Sequence, residues 1–110
     1  MSREVLGNFE LMVMLAVMRL GDGAYGVPIS RAIEESTSRE VLMGSVYAAL
    51  ERLEEKGLVA SEVGKSTPER GGRAKRYFRI TKKGLRQVRD TQGALIKLWQ
   101  DIPALQGGTR

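Results

Sequence analysis

The sequence predicts a mainly α fold carrying one small β-hairpin. Three observations predict it. Apolar residues recur at helical spacing through most of the first 57 positions. Two short alternating stretches, 58–63 and 74–80, flank the turn-rich "GKSTPERGG" at 64–72. A heptad seam then runs through residues 85–102.

The elements follow in order. "VLGNFELMVMLAVMRL" (5–20) is long enough for a helix and is apolar nearly all round after Phe9. Such a helix is buried on more than one side, by its own domain or by a partner chain. Met12, Met14 and Met18 read as adaptable core. "GDGAYG" (21–26) ends it with three glycines. "VPISRAIEES" (27–36) is a short second helix, with Pro28 in its first turn and Ile29 and Ile33 on one stripe. "STSRE" is a turn.

"GSVYAALERLEEKG" (44–57) is the third helix, stopped by Gly57. At 100° per residue it divides into three sectors. Val46, Leu50 and Leu53 form a core stripe; Tyr47, Glu51, Glu54 and Glu55 form an acidic flank. Ser45, Ala48, Ala49, Arg52 and Lys56 form a small, positive sector without a carboxylate. In "LVASEV" and "AKRYFRI" the two strands of the hairpin follow, with Phe78 and Ile80 on the inward side of the second. Thr81 caps a last helix reaching about Asp101. Leu85, Val88, Gln92, Leu95, Trp99 and Ile102 are spaced 3, 4, 3, 4, 3 along it, a seam that overhangs so small a domain and asks for a second chain.

Composition removes most chemistries. The chain has 110 residues, 42% apolar and 28% charged, which suits one globular domain. It has no cysteine and no histidine, so a zinc site, a Cys–His pair and a Ser–His–Asp triad are excluded, and neither an enzyme, a metal nor a cofactor is expected. The longest apolar run, Leu11–Met18, is too short to span a bilayer, and the start lacks a signal-peptide layout. These features point to a cytoplasmic protein without a membrane partner.

The net charge of +5 is regional. Residues 64–89 hold ten cations against Glu69 and sum to +9, so the remainder sums to −4. Such clustering on a hairpin is the footprint of a polyanion partner. Helix, helix, helix, hairpin, helix is the order of a winged helix-turn-helix, which makes double-stranded DNA the expected partner. The expected DNA contacts are Arg39 in the turn, Ser45, Tyr47, Ala48 and Arg52 on the third helix, and Lys65, Arg70, Arg73, Lys75 and Arg76 on the wing. The expected boundaries are 1–81 for the DNA-binding domain, with the recognition helix at about 44–57 and the wing at about 58–80. A helix at 82–102 would pair two copies into a homodimer, and a flexible tail would follow at 103–110. The interface would use Leu11, Met14, Met18, Leu85, Val88, Leu95 and Trp99.

The sequence also resembles the PadR-like family of bacterial transcriptional regulators. The likeness runs from about Leu6 to Trp99 and rests on "AYGVPISRAIE", "GSVYAALERLEEKGLV" and "GGRAKRYFRITKKG". The chain departs from the family's usual pattern at Val27-Pro28, at Ala48, where proline is frequent, and in lacking a tryptophan on the first wing strand. The resemblance implies a short-form regulator, typically a repressor on an inverted-repeat operator, with one helix after the wing for dimerisation. It further implies that Trp99, Leu95 and Ile96 would hold a small planar hydrophobic effector. Two alternatives stay open to the residues alone: a protein-interaction module, and a nonspecific nucleic-acid-binding protein.

Overall fold

The computed structural model describes residues 6–64 and 74–106. Its order is α1 (Asn8–Leu20), α2 (Gly26–Thr37), α3 (Met43–Glu55), β1 (Val59–Val63), β2 (Arg76–Ile80) and α4 (Lys82–Trp99). Short 3-10 turns lie at Gly21–Gly23 and Pro103–Leu105. The expected mainly α fold with a two-stranded antiparallel hairpin is therefore present.

The core is a wedge between the first three helices. Val13, Met14 and Val17 of α1 meet Ile29 and Ile33 of α2 and Val46, Leu50 and Leu53 of α3, all buried. Phe78 of β2 closes it from below. The first helix is central, as its breadth of apolar residues requires. Each connection has a physical lock. Gly21 ends α1 at φ 60, ψ −126, a backbone region that side chains disfavour. Ser38 takes φ 57 after α2, and its N–H donates to the Glu34 carbonyl. The Glu34 carboxylate in turn accepts from the Val41 N–H at 2.8 Å, which holds the turn between α2 and α3 in one shape. Gly57 stands at φ 77, with Leu58 N–H on the Leu53 carbonyl and Gly57 N–H on the Glu54 carbonyl. That pair of bonds is a Schellman motif, and it brings buried Leu58 back onto buried Leu53.

The hairpin pairs Val59 with Ile80 through to Val63 with Arg76. The Phe78 N–H donates outward to the Ala24 carbonyl at 2.8 Å, so the turn after α1 adds a third rung. At the start of α4, Thr81 is a bridge. Its Oγ1 accepts from Gly84 N–H at 2.9 Å and donates to the Gly57 carbonyl at 2.7 Å. Gly84 sits on the Leu58 backbone so closely that a Cβ would strike its carbonyl.

Two helix ends differ from the sequence reading. The first helix begins at Asn8, not near residue 5. The last stops at Trp99: Gln100 is extended, Asp101 has φ 62 and Pro103 follows. Proline biases the residue before it away from helix, which the heptad spacing out to Ile102 does not register. No helix among the described residues is long and apolar enough to cross a membrane.

Candidate nucleic-acid interface

The third helix presents its N-terminal half. Gly44, Ser45, Tyr47 and Ala48 are exposed there, and the first turn has no acidic residue. Glu51 and Glu55 are exposed further along and would repel a phosphate backbone. A helix so divided suits contact with a polyanion at its N-terminal end rather than along its length. Tyr47 is held from behind, since a Cβ on Gly26 would lie 2.7 Å from its Cζ and 2.9 Å from Met43 Cε. Arg39 and Ser45 share the rim of a groove of about 470 Å³ between the start of α1 and the turn before α3.

Two features of this helix correct the helical-wheel reading. Ala49 is fully buried, three residues from Val46 and four from Leu53, so it belongs to the core stripe. The positive sector also has a carboxylate, supplied by α1. Glu10 Oε2 accepts from Arg52 Nε at 3.0 Å, and Oε1 lies 3.5 Å from Lys56 Nζ. Burial pushes the Glu10 carboxyl up, but the Arg52 hydrogen bond and then the Lys56 charge outweigh it and hold it below the ordinary range. Nothing local in the sequence marks this pair, whose members are 42 positions apart.

Lys65, Arg70 and Arg73 lie outside the described residues. The wing's stem is defined on both sides of them. Gly64 N–H donates to the Lys75 carbonyl at 2.7 Å, and a Cβ on Gly64 would lie 2.8 Å from the Tyr77 ring. Tyr77 meets Tyr25 edge-on, with centroids 5.4 Å apart. Lys75 Nζ rests 3.9 Å above the Tyr25 ring, a cation–π contact that fixes the ammonium while leaving its charge. Arg76 is exposed, and its Nη1 donates to Ser61 Oγ, which donates to Glu54. The stem therefore gathers Tyr25, Lys75, Arg76 and Tyr77 on elements far apart in sequence, and no local sequence signal marks Tyr25 for this place.

On another side, α1 and α4 form an apolar groove of about 790 Å³. Six of the seven residues expected at a dimer interface line it: Leu11, Met18, Leu85, Val88, Leu95 and Trp99. The seventh, Met14, is closed inside the chain's own core with no exposed surface, so it has nothing to offer a partner. Leu15, Ile96, Gln92, Gln100 and Arg89 complete the lining. The face is wide. Beyond Thr91 no described residue is buried, and Leu98 is 73% and Trp99 61% exposed.

Comparison with known proteins gives the same outline. The family model for the "Transcriptional regulator PadR-like family" matches residues 14–90. The fold is similar to a PadR-like transcriptional regulator from Bacillus cereus, at 22% identity, 92% of this chain, 93% of that one and a TM-score of 0.72. It is similar to a PadR family transcription regulator from Clostridium difficile, at 22% identity over 92% and 100% of the two chains, with a TM-score of 0.73. A third, from Eggerthella lenta, shares 26% identity over 89% and 83%, with a TM-score of 0.68. No curated protein sequence matches the chain.

Proposed function

The chain belongs to the PadR-like family of transcriptional regulators, which makes it a DNA-binding regulator and not an enzyme, and on that premise we propose that it is a homodimeric repressor of an inverted-repeat operator. The groove between α1 and α4 carries this reading. It is apolar and continuous, no described residue covers it, and it contains Leu85, Val88, Gln92, Leu95 and Trp99 of the seam. An isologous contact buries each seam against its mate and turns two DNA-binding heads about one two-fold axis. Half-sites then fall about one helical turn, or a multiple of it, apart. Ser45, Tyr47, Ala48 and Arg52 set register and base preference, while Arg39 and the cations of the wing, Lys65, Arg70, Arg73, Lys75 and Arg76, supply affinity through phosphates. With a DNA-binding head and a pairing helix, the dimer acts most simply by occupying its operator.

The effector reading rests on the same groove. Trp99, Leu95 and Ile96 stand exposed along one wall, wide enough for a planar apolar molecule between two copies. Among the described residues of the lining Arg89 alone is charged, so neutral or anionic planar compounds fit better than cationic ones. Binding there changes the angle between the heads and shifts the operator-competent population. Analytical ultracentrifugation at micromolar concentration tests the dimer: a monomer alone refutes it. Trp99 fluorescence tests the effector, since the chain has one tryptophan. Saturable quenching that also releases operator DNA is expected; quenching without release leaves Trp99 as a packing residue.

A further inference from the structure

Glu10 is a buried carboxylate that the groove and the wing do not use. It sits in the first turn of α1, 9% exposed, against two cations of the recognition helix. A carboxylate taken out of water must be paired, and this one is. The form of the pairing is informative. Glu10 takes only Nε of Arg52. A guanidinium has five N–H donors in a rigid plane. Among the described residues no other acceptor holds the two Nη groups of Arg52, and the side chain stays 52% exposed. Anchored by its inner edge, the guanidinium leaves its outer fork for a planar acceptor pair, such as two phosphate oxygens or guanine O6 and N7.

We propose that Glu10 is a positioning residue for DNA recognition: it fixes Arg52 by Nε so that the Nη fork is aimed at the duplex, and it cancels one unit of charge that would otherwise bind any phosphate backbone. The inference rests on the DNA-recognition reading above. A solely structural role fits the geometry less well. So exposed an arginine adds little stability through its ion pair, and an apolar residue at position 10 would fill the site without desolvating a charge. A single buried acceptor restricts where Arg52 can reach, which favours one register over others. Leu11, the next residue of α1, lines the apolar groove, so the helix that would meet a partner or effector also carries the acceptor for Arg52.

The test uses the full chain with two duplexes of equal length, one enriched by in vitro selection and one of random sequence. Affinities are measured across a salt series for the unmodified protein, Glu10→Gln, Arg52→Lys and the double variant. For Glu10→Gln the random duplex binds more tightly, the log K against log salt slope steepens by about one unit, and the specificity ratio falls about five-fold or more. Arg52→Lys keeps the charge and loses the fork, so the ratio falls similarly while the random duplex is unaffected. The double variant loses no further specificity. A ratio unchanged within two-fold in both single variants overturns the proposal. So does a parallel loss on both duplexes that tracks a loss of folded protein by circular dichroism. Should Glu10→Gln not fold, Arg52→Lys decides: an unchanged ratio overturns the proposal. A ratio near one for the unmodified protein overturns the DNA-recognition reading, and this inference with it.

Discussion

Replacing Gly84 and Gly93 by alanine, one at a time, should move stability in opposite directions although both lie in α4. Alanine in place of glycine within a helix gains roughly 0.5–1 kcal/mol from backbone entropy. At Gly93 none of the described residues comes within 4 Å of a new Cβ, so that gain is realised. At Gly84 the Cβ would strike the Leu58 carbonyl oxygen, 3.0 Å from its carbon and 3.1 Å from Ile80 Cδ1. Carbon contacts relax at about 3.5–4.0 Å, so helix and strand must part by about half an ångström or more. The helix start is not free to yield. Thr81 N–H is bonded to the Leu58 carbonyl, and Thr81 Oγ1 to Gly57 and Gly84. Overpacking of this kind costs about 1–3 kcal/mol, and each bond lost adds about 1. Set against the helical gain, Gly84→Ala should lose about 1–3 kcal/mol. For a chain of this size, about 4–8 °C of Tm accompany each kcal/mol, which gives a fall of roughly 10 °C. Thermal melts followed at 222 nm, at one fixed protein concentration, measure both variants. A Gly84→Ala melt at or above that of Gly93→Ala would refute the steric reasoning.

Other perturbations have equally definite outcomes. Removing the cap with Thr81→Ala should cost about 1–2 kcal/mol in chemical denaturation, because Oγ1 both accepts from Gly84 and donates to Gly57. Glu10 has a lowered folded pKa, so its contribution is present above the ordinary value of 4.5 and is lost as pH falls through the folded value. Urea midpoints of Glu10→Gln should therefore depend less on pH below about 4.5 than those of the unmodified protein. Gly26→Ala should displace Tyr47 and weaken operator binding by more than it weakens random-sequence binding; equal losses would place Tyr47 outside the base-reading set. Charged residues at Leu95 and Trp99 should give a folded monomer by ultracentrifugation, since both side chains are already exposed in the single chain.

Much of the fold was legible because it is written in local periodicity. The stripe Val46, Leu50, Leu53, the alternation around Phe78, the cap at Thr81 and the stop at Gly57 are all signals within a few residues of each other. The common face of Leu85, Val88, Leu95 and Trp99 was legible too, as all four line one groove. What was missed depends on tertiary approach. Met14 and Met18 have the same residue type, four apart, and only packing buries the first and exposes the second. Glu10 carries no local signal of its role, because its partners lie near the other end of the chain's helical core, at Arg52 and Lys56. Ala49 was assignable from its spacing to Val46 and Leu53, but its small side chain grouped it with Ser45 and Ala48 in the small, positive sector. Tyr25 acquires its place only when β2 docks on the turn after α1.

Two copies that read DNA together through α3 and the wing would select a paired site. Unbiased in vitro selection of bound duplexes tests it most directly. The expected outcome is enrichment of an inverted repeat whose half-sites are centred about one helical turn, or a multiple of it, apart. Enrichment of a lone half-site, or of no sequence at all, would contradict it.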